Sequence, residues 1–241
     1  MTSTLFFVKR TILVALASFT AFVSASSAAS AEEDATMPEL SDLPILPAQE
    51  SAKPPPSNIK YLQYGPALIA ELIGPLSSPG PMCSGAVRSD GQKESTCILG
   101  SGGGVVLRGG IRAAGPWYFG AAYSLSKQDS NKLMRLPLLQ QLRGEARYYI
   151  RPDFQTQPFG SFGLGVAAYG NEFGFSDTLG PQAFVGGGAE TQLSQRYVLI
   201  VALAYRAMLF NKFTDSSGAL RPSGVATALG LEFGLESRDL F

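Results

Sequence analysis

Residues 224–236, GVATALGLEFGLE, alternate with a period of two, and that alternation limits what the chain can fold into more than any other feature. Val225, Thr227, Leu229, Leu231, Phe233 and Leu235 fall on one face, and Ala226, Ala228, Gly230, Glu232, Gly234 and Glu236 on the other. A period of two is a β-strand with one apolar face. Its second face is not the Lys- and Thr-rich surface of a soluble sheet but glycine, alanine and glutamate. Lipid accepts the large apolar face, and a narrow lumen has room for the small one.

The pattern recurs along the chain. Strands are expected near 59–73, 101–113, 117–126, 138–151, 157–169, 181–193, 197–209 and 224–236. Each is long enough for the ~9–11 residues that cross a bilayer as a tilted strand. Connections alternate: 74–100, 127–137, 170–180 and 210–223 are long, and the other three are short. Short turns on one side and long loops on the other are the habit of outer-membrane barrels. The expected fold is therefore all-β, an eight-stranded antiparallel up-and-down transmembrane β-barrel over 58–241.

The faces agree with that reading. The third strand sets Trp117, Phe119, Ala121, Tyr123 and Leu125 opposite Tyr118, Gly120, Ala122 and Ser124. In the seventh, Tyr197 and Tyr205 bracket Leu199, Val201 and Leu203, as where a lipid-facing band meets two interfaces. The inward faces carry Glu71, Arg108, Arg112, Arg143, Glu145, Arg147, Glu190, Arg206, Glu232 and Glu236, five of each sign, with Arg151 set aside at a strand end. Buried charges are tolerable only when paired, and the arginine fork suits carboxylates. The expectation is a closed lumen packed with Arg–Glu pairs. A ring of one sign would instead suggest a selective channel. A soluble lipocalin-like barrel, with inside and outside exchanged, is the rival; its exterior would be glycine and alanine, which dresses a soluble sheet poorly.

Residues 1–31 read as a secretory signal, with Lys9 and Arg10 ahead of the apolar TILVALASFTAFV and an A-x-A site at Ala29 and Ala31. A retained anchor is the alternative. Residues 32–57 are acidic and proline-rich and read as an extended linker, or as a tether hiding a partner motif. In an exported protein Cys83 and Cys97 are expected to pair, closing a loop for about 3 kcal/mol on the chain-entropy account. Between them lies a polar stretch with no strand pattern.

Composition excludes much. The 241 residues contain no histidine and have zero formal net charge, so neither nucleic acid nor a Ser-His-Asp mechanism is indicated. Two cysteines without histidine do not make a zinc site. Only 16% of residues are charged, against about 25% in an average soluble domain. GLGVAA at 163–168 matches a dinucleotide fingerprint in letters, but YGNEFGFSDTLG after it cannot be the required helix. GSGGG at 100–104 has no Lys-Ser/Thr after it and reads as a loop edge. Tyr, Glu and Arg alone leave acid–base chemistry open, yet the expectation is a non-enzyme without cofactor or metal.

Residues 58–241 resemble the small eight-stranded outer-membrane barrels, the OmpA-like and OmpX-like group. The resemblance implies a C-terminal assembly signal at Gly230, Phe233 and Leu235, with Ala228 where a polar residue is usual and Phe241 as the favoured last residue. Ser237 and Asp239 interrupt the apolar register leading to Phe241, and Pro66 interrupts the first strand, where a bulge or a later start is expected. The resemblance also implies the outer membrane of a Gram-negative bacterium, with the linker in the periplasm. Its partners would be outer-membrane lipid and the barrel-insertion machinery, with an unnamed extracellular or envelope partner at the loops. The expected role is structural or surface interaction; a narrow conduit for small or apolar molecules, as in the OmpW group, and a subunit of a larger envelope complex are the alternatives.

Overall fold

The computed structural model describes residues 60–73, 86–87, 91, 93–94, 97–129, 136–171, 176–215 and 218–240. The expected signal segment with Ala29 and Ala31, the 32–57 linker, Cys83 and Phe241 lie outside them.

Among the described residues twelve strands follow in order: β1 (Tyr61–Ile73), β2 (Ala86–Val87), β3 (Lys93–Glu94), β4 (Gly102–Arg112), β5 (Trp117–Gln128), β6 (Leu138–Tyr149), β7 (Thr156–Gly170), β8 (Thr178–Gln192), β9 (Tyr197–Phe210), β10 (Phe213–Thr214), β11 (Leu220–Arg221) and β12 (Gly224–Leu240). Eight of them close on themselves in the order β1-β12-β9-β8-β7-β6-β5-β4, every pair antiparallel. Chain neighbours are sheet neighbours, which is an up-and-down barrel. β1 closes it, pairing with β12 on one side and β4 on the other. Closure leaves no unpaired edge, which a sheet in lipid requires.

The wall has two faces because the alternation is kept on every strand. Leu68, Leu107, Phe119, Leu142, Phe162, Leu164, Val185, Leu203, Leu231 and Phe233 point outward, with Leu164 71% and Leu68 63% exposed. At the short-turn end this surface carries Trp117, stacked on Phe119 at 5.7 Å and edge-on to Tyr148 at 5.0 Å. Tyr64 at the same end donates to Asp239. Aromatic residues there match the girdle at a membrane interface. The β4–β5 turn closes through Ala113, whose amide donates to the Trp117 carbonyl, and Gly115 adopts φ 115°, a backbone that only glycine takes without strain.

Several expectations need correction. Pro66 causes neither a bulge nor a later start. β1 runs from Tyr61 in unbroken register with β4, and pairing with β12 lapses only at Gly65 and Pro66 before resuming in the same register. A strand residue has a single N–H, directed at one neighbour, so the proline takes a donor from one ladder only. GSGGG is not a loop edge, since Gly102, Gly103 and Gly104 belong to β4. β8 begins at Thr178, ahead of its Pro181, and β12 continues to Leu240 through the residues expected to end it. The polar loop after β1 contains two short strands, which join β10 and β11 in a four-stranded sheet of order β10-β11-β2-β3. Arg151 lies beyond β6, exposed, with its guanidinium 5.2 Å over the Phe154 ring. The GLGVAA segment, by contrast, opens no helix, as expected, and is the middle of β7.

Candidate functional site

The interior is a stack of three layers. At the long-loop end, Ile98 and Leu99 enter from the loop after β1 and pack, with Phe213, against Leu139, Ala167, Tyr169, Met208, Phe210, Ala226 and Ala228. The Tyr169 hydroxyl donates to the Ile98 carbonyl. Cys97 directly precedes this plug; its expected partner Cys83 falls outside the described residues. Nearby, Asp215 and Arg221 form a buried pair at 2.8 Å.

Below the plug, Glu71 of β1 is saturated. It accepts from Ser126 Oγ at 2.5 Å, Gln128 Nε2 at 2.8 Å, Gln141 Nε2 at 2.8 Å and Arg206 Nη1 at 2.6 Å. Arg206 also donates to Glu232, which takes Arg143 Nη2 at 2.6 Å and a third bond from Arg108. Gly230 makes this possible, because a Cβ there would stand 2.7 Å from Arg206 Nη1. Glu145 meets Arg108 Nε and Arg147 Nη2, each at 2.8 Å. Glu236 takes Arg108 Nη1 at 3.1 Å and Arg147 Nη2 at 3.3 Å.

At the short-turn end Glu190 accepts from Tyr149 Oη and Gln63 Nε2, both at 2.7 Å, from Arg112 at 3.4 Å and from Arg238. Rings close this end: Arg112 lies 3.3 Å over the Tyr149 ring and Arg147 4.5 Å over Tyr118. Tyr118, Tyr149 and Phe159 pack with Val198, Ile200 and Ala202.

All ten lumen charges named from the sequence point inward and are nearly inaccessible. One was missed. Arg238 also faces inward, so among the described residues six arginines oppose five glutamates and the tally is not balanced. The parity of β12 carries the signal, since Arg238 continues the even series through Glu232 and Glu236. The inward glutamines Gln63, Gln128, Gln141 and Gln157 were also missed, although Gln63 and Gln141 share the parity of the lumen charges on their strands. Phe233 and Leu235, named for the assembly signal, point outward, while Gly230 lies inside against Arg206.

Little space remains. A cavity of about 10 Å³ lies among Arg108, Arg143, Arg147, Glu145, Glu232 and Ser161. A single water needs ~10–15 Å³ on that measure, so this cavity holds one water at most. The larger hollow, about 680 Å³, is a groove at the outer wall, where Gly144, Ala146 and Ala183 lie low between Phe119, Phe162 and Leu164.

A closed antiparallel barrel, apolar outside and packed with ion pairs inside, defines the class: a small transmembrane β-barrel of the kind found in outer membranes. Among solved structures the chain is similar to Neisserial surface protein A at 15% identity, covering 74% of this chain and 96% of that one, with a TM-score of 0.47. It is similar to the outer membrane protein OprG from Pseudomonas aeruginosa at 12% identity, covering 79% and 98%, TM-score 0.46. It is also similar to Ail, the attachment invasion locus protein of Yersinia pestis, at 12% identity, covering 76% and 99%, TM-score 0.39. No family model and no curated protein matches the sequence. The class rests on this chain's own strand pairing and its two faces.

Proposed function

We propose that this protein is exported, inserted in the outer membrane of a Gram-negative bacterium with its N-terminal linker in the periplasm, and non-conducting. It works structurally or through contacts made by its long loops. The observation that carries this reading is the interior itself, where arginines and glutamates from five strands interlock around a cavity of about 10 Å³. The apolar layer at one end and the aromatic layer at the other support it further. Without histidine anywhere in the chain, the reading is non-catalytic.

Planar-bilayer recording of the refolded protein tests it. No stable channel is expected, and large, long-lived conductance steps would overturn it. A conduit for apolar molecules is the second reading, and the outer groove beside Phe119 and Phe162 favours it. Uptake of an apolar probe without ion conductance would promote it. We also propose that Cys83 and Cys97 are joined on the loop side. Thiol labelling of intact cells before reduction is expected to find no reactive cysteine, and labelling without reductant would contradict the bond.

A further inference from the structure

The groove on the outer wall has sides as well as a floor. By register Ala146 of β6 lies between Phe119 of β5 and Phe162 of β7, and Gly144, nearer the loop end, lies between Ala121 and Leu164. Strands stand about 4.8 Å apart, so the two rings rise on either side of a slot about 10 Å across at the backbone. Phe119 and Phe162 are 55% and 52% exposed, whereas Ala146 between them is 9% exposed. The volume, about 680 Å³, falls within the ~300–1,000 Å³ of ligand sites. Toward the short turns the same face of the chain continues through Tyr148, edge-on to Trp117, and Ile150. It ends at Arg151, which rests over the Phe154 ring and makes no ion pair among the described residues. At ~3.3 Å per residue and a tilt of ~40°, Ala146 and Gly144 lie about 13–18 Å from Arg151 along the membrane normal. One leaflet of a ~30 Å hydrocarbon core is about 15 Å deep.

We propose that this slot binds one acyl chain of an anionic glycerophospholipid whose phosphate is held by Arg151. The inference rests on the membrane placement proposed above. A guanidinium can meet a phosphate with two parallel N–H groups, and Trp117 and Tyr148 stand where aromatic rings meet headgroups. From there the chain runs past Trp117 and ends between Phe119 and Phe162, one leaflet deep. An anionic headgroup suits an unpaired guanidinium better than one that carries its own ammonium. A second copy of the barrel suits the slot less well. A two-fold axis along the membrane normal would set its Arg151 at the same depth as this one, like charge toward like.

Trp117 is the only tryptophan of the chain, so brominated lipids read the site through its fluorescence. The full chain is refolded into phosphatidylcholine vesicles that contain a minor fraction of phosphatidylglycerol. With bromine on the phosphatidylglycerol chains alone, quenching of Trp117 should exceed that lipid's mole fraction. Gly144→Leu builds a side chain into the slot, where a Cβ meets nothing closer than 3.8 Å. That variant should bring quenching back to the mole fraction while keeping its heat-modifiable gel shift. Arg151→Gln should abolish the preference for phosphatidylglycerol but leave quenching unchanged when both lipids are brominated. If Gly144→Leu fails to fold, Arg151→Gln still decides. Quenching of the unmodified protein in proportion to mole fraction, or a preference that survives either substitution, overturns the proposal. Trp117 shielded from both lipids in a vesicle-bound dimer also overturns it and gives the slot to a second copy. Protein that stays outside the vesicles, unquenched, overturns the membrane placement as well.

Discussion

The loop end and the middle of the lumen are filled by opposite means. At the loop end the filling is apolar, and part of it, Ile98 and Leu99, belongs to a connection rather than to the wall. In the middle it is charged and comes from the wall alone. Arg206 of β9 ties Glu71 of β1 to Glu232 of β12, and Arg108 of β4 and Arg143 of β6 join the same carboxylate. Apolar contact is non-directional, so the plug adapts and its loss leaves the wall intact. Ion pairs are directional and crosslink five strands across the lumen, so their loss strikes the barrel itself. Closure is thus built twice, once as a removable stopper and once as part of the frame.

The largest effect should come from the frame. Glu232→Ala leaves three arginines facing a lost carboxylate, and breaking such a buried network costs about 3–5 kcal/mol. Urea unfolding of the refolded barrel would measure it. A change below about half a kcal/mol would mean that trapped water, not Glu232, neutralises the arginines, and the contrast with the plug would collapse.

One residue away, the outer face offers the control. Leu231 precedes Glu232 and points to lipid. Leu231→Arg should cost about 2–4 kcal/mol, as an arginine does on the lipid face near the bilayer midplane. Inside, arginine is the commonest charge; outside, one is too many. Unchanged stability in the Leu231→Arg variant would show that this face is not in hydrocarbon.

The plug comes next. Leu99 is 1% exposed, and truncation to alanine should cost about 2–3 kcal/mol, the lower part of the range for a buried leucine because the end layer can relax. Bilayer recordings of Leu99→Ala should remain as silent as those of the unmodified protein, since the charged layer beneath is untouched. Channels opened by this change alone would make the plug, not the ion network, the true closure.

These differences mark what a sequence can disclose. The wall was legible because alternation is local: each residue's parity sets its face, and ten lumen charges could be placed without knowing their partners. Arg238 was lost because Ser237 and Asp239 look like an end to β12, whereas both sit outside at the interface and Asp239 is held by Arg196 and Tyr64. Pro66 looked like a break because proline removes a donor, and the barrel simply forgoes one stretch of pairing on the β12 side. The plug was not legible at all. Ile98 and Leu99 carry no periodicity, and their burial depends on a mouth made by β6, β7, β9 and β12, which only closure assembles.

The smallest effect probes how the stopper is fastened to the frame. Tyr169 stands on β7, fully buried, and its hydroxyl donates to the Ile98 carbonyl while its ring packs in the apolar layer. Tyr169→Phe keeps the ring and removes the hydroxyl that makes that bond. A hydrogen bond of this kind contributes about 0.5–1.5 kcal/mol net, so global stability should fall by no more than that. The local consequence should be larger than the global one. The Ile98 carbonyl loses its donor at a point where plug and wall meet through a polar contact, and the segment after Cys97 should open more often. Hydrogen exchange at Ile98 and Leu99 should accelerate while exchange on β12 at Glu232 stays as before. Equal acceleration at both places would mean that plug and ion network open as one unit, and the two closures would then be one.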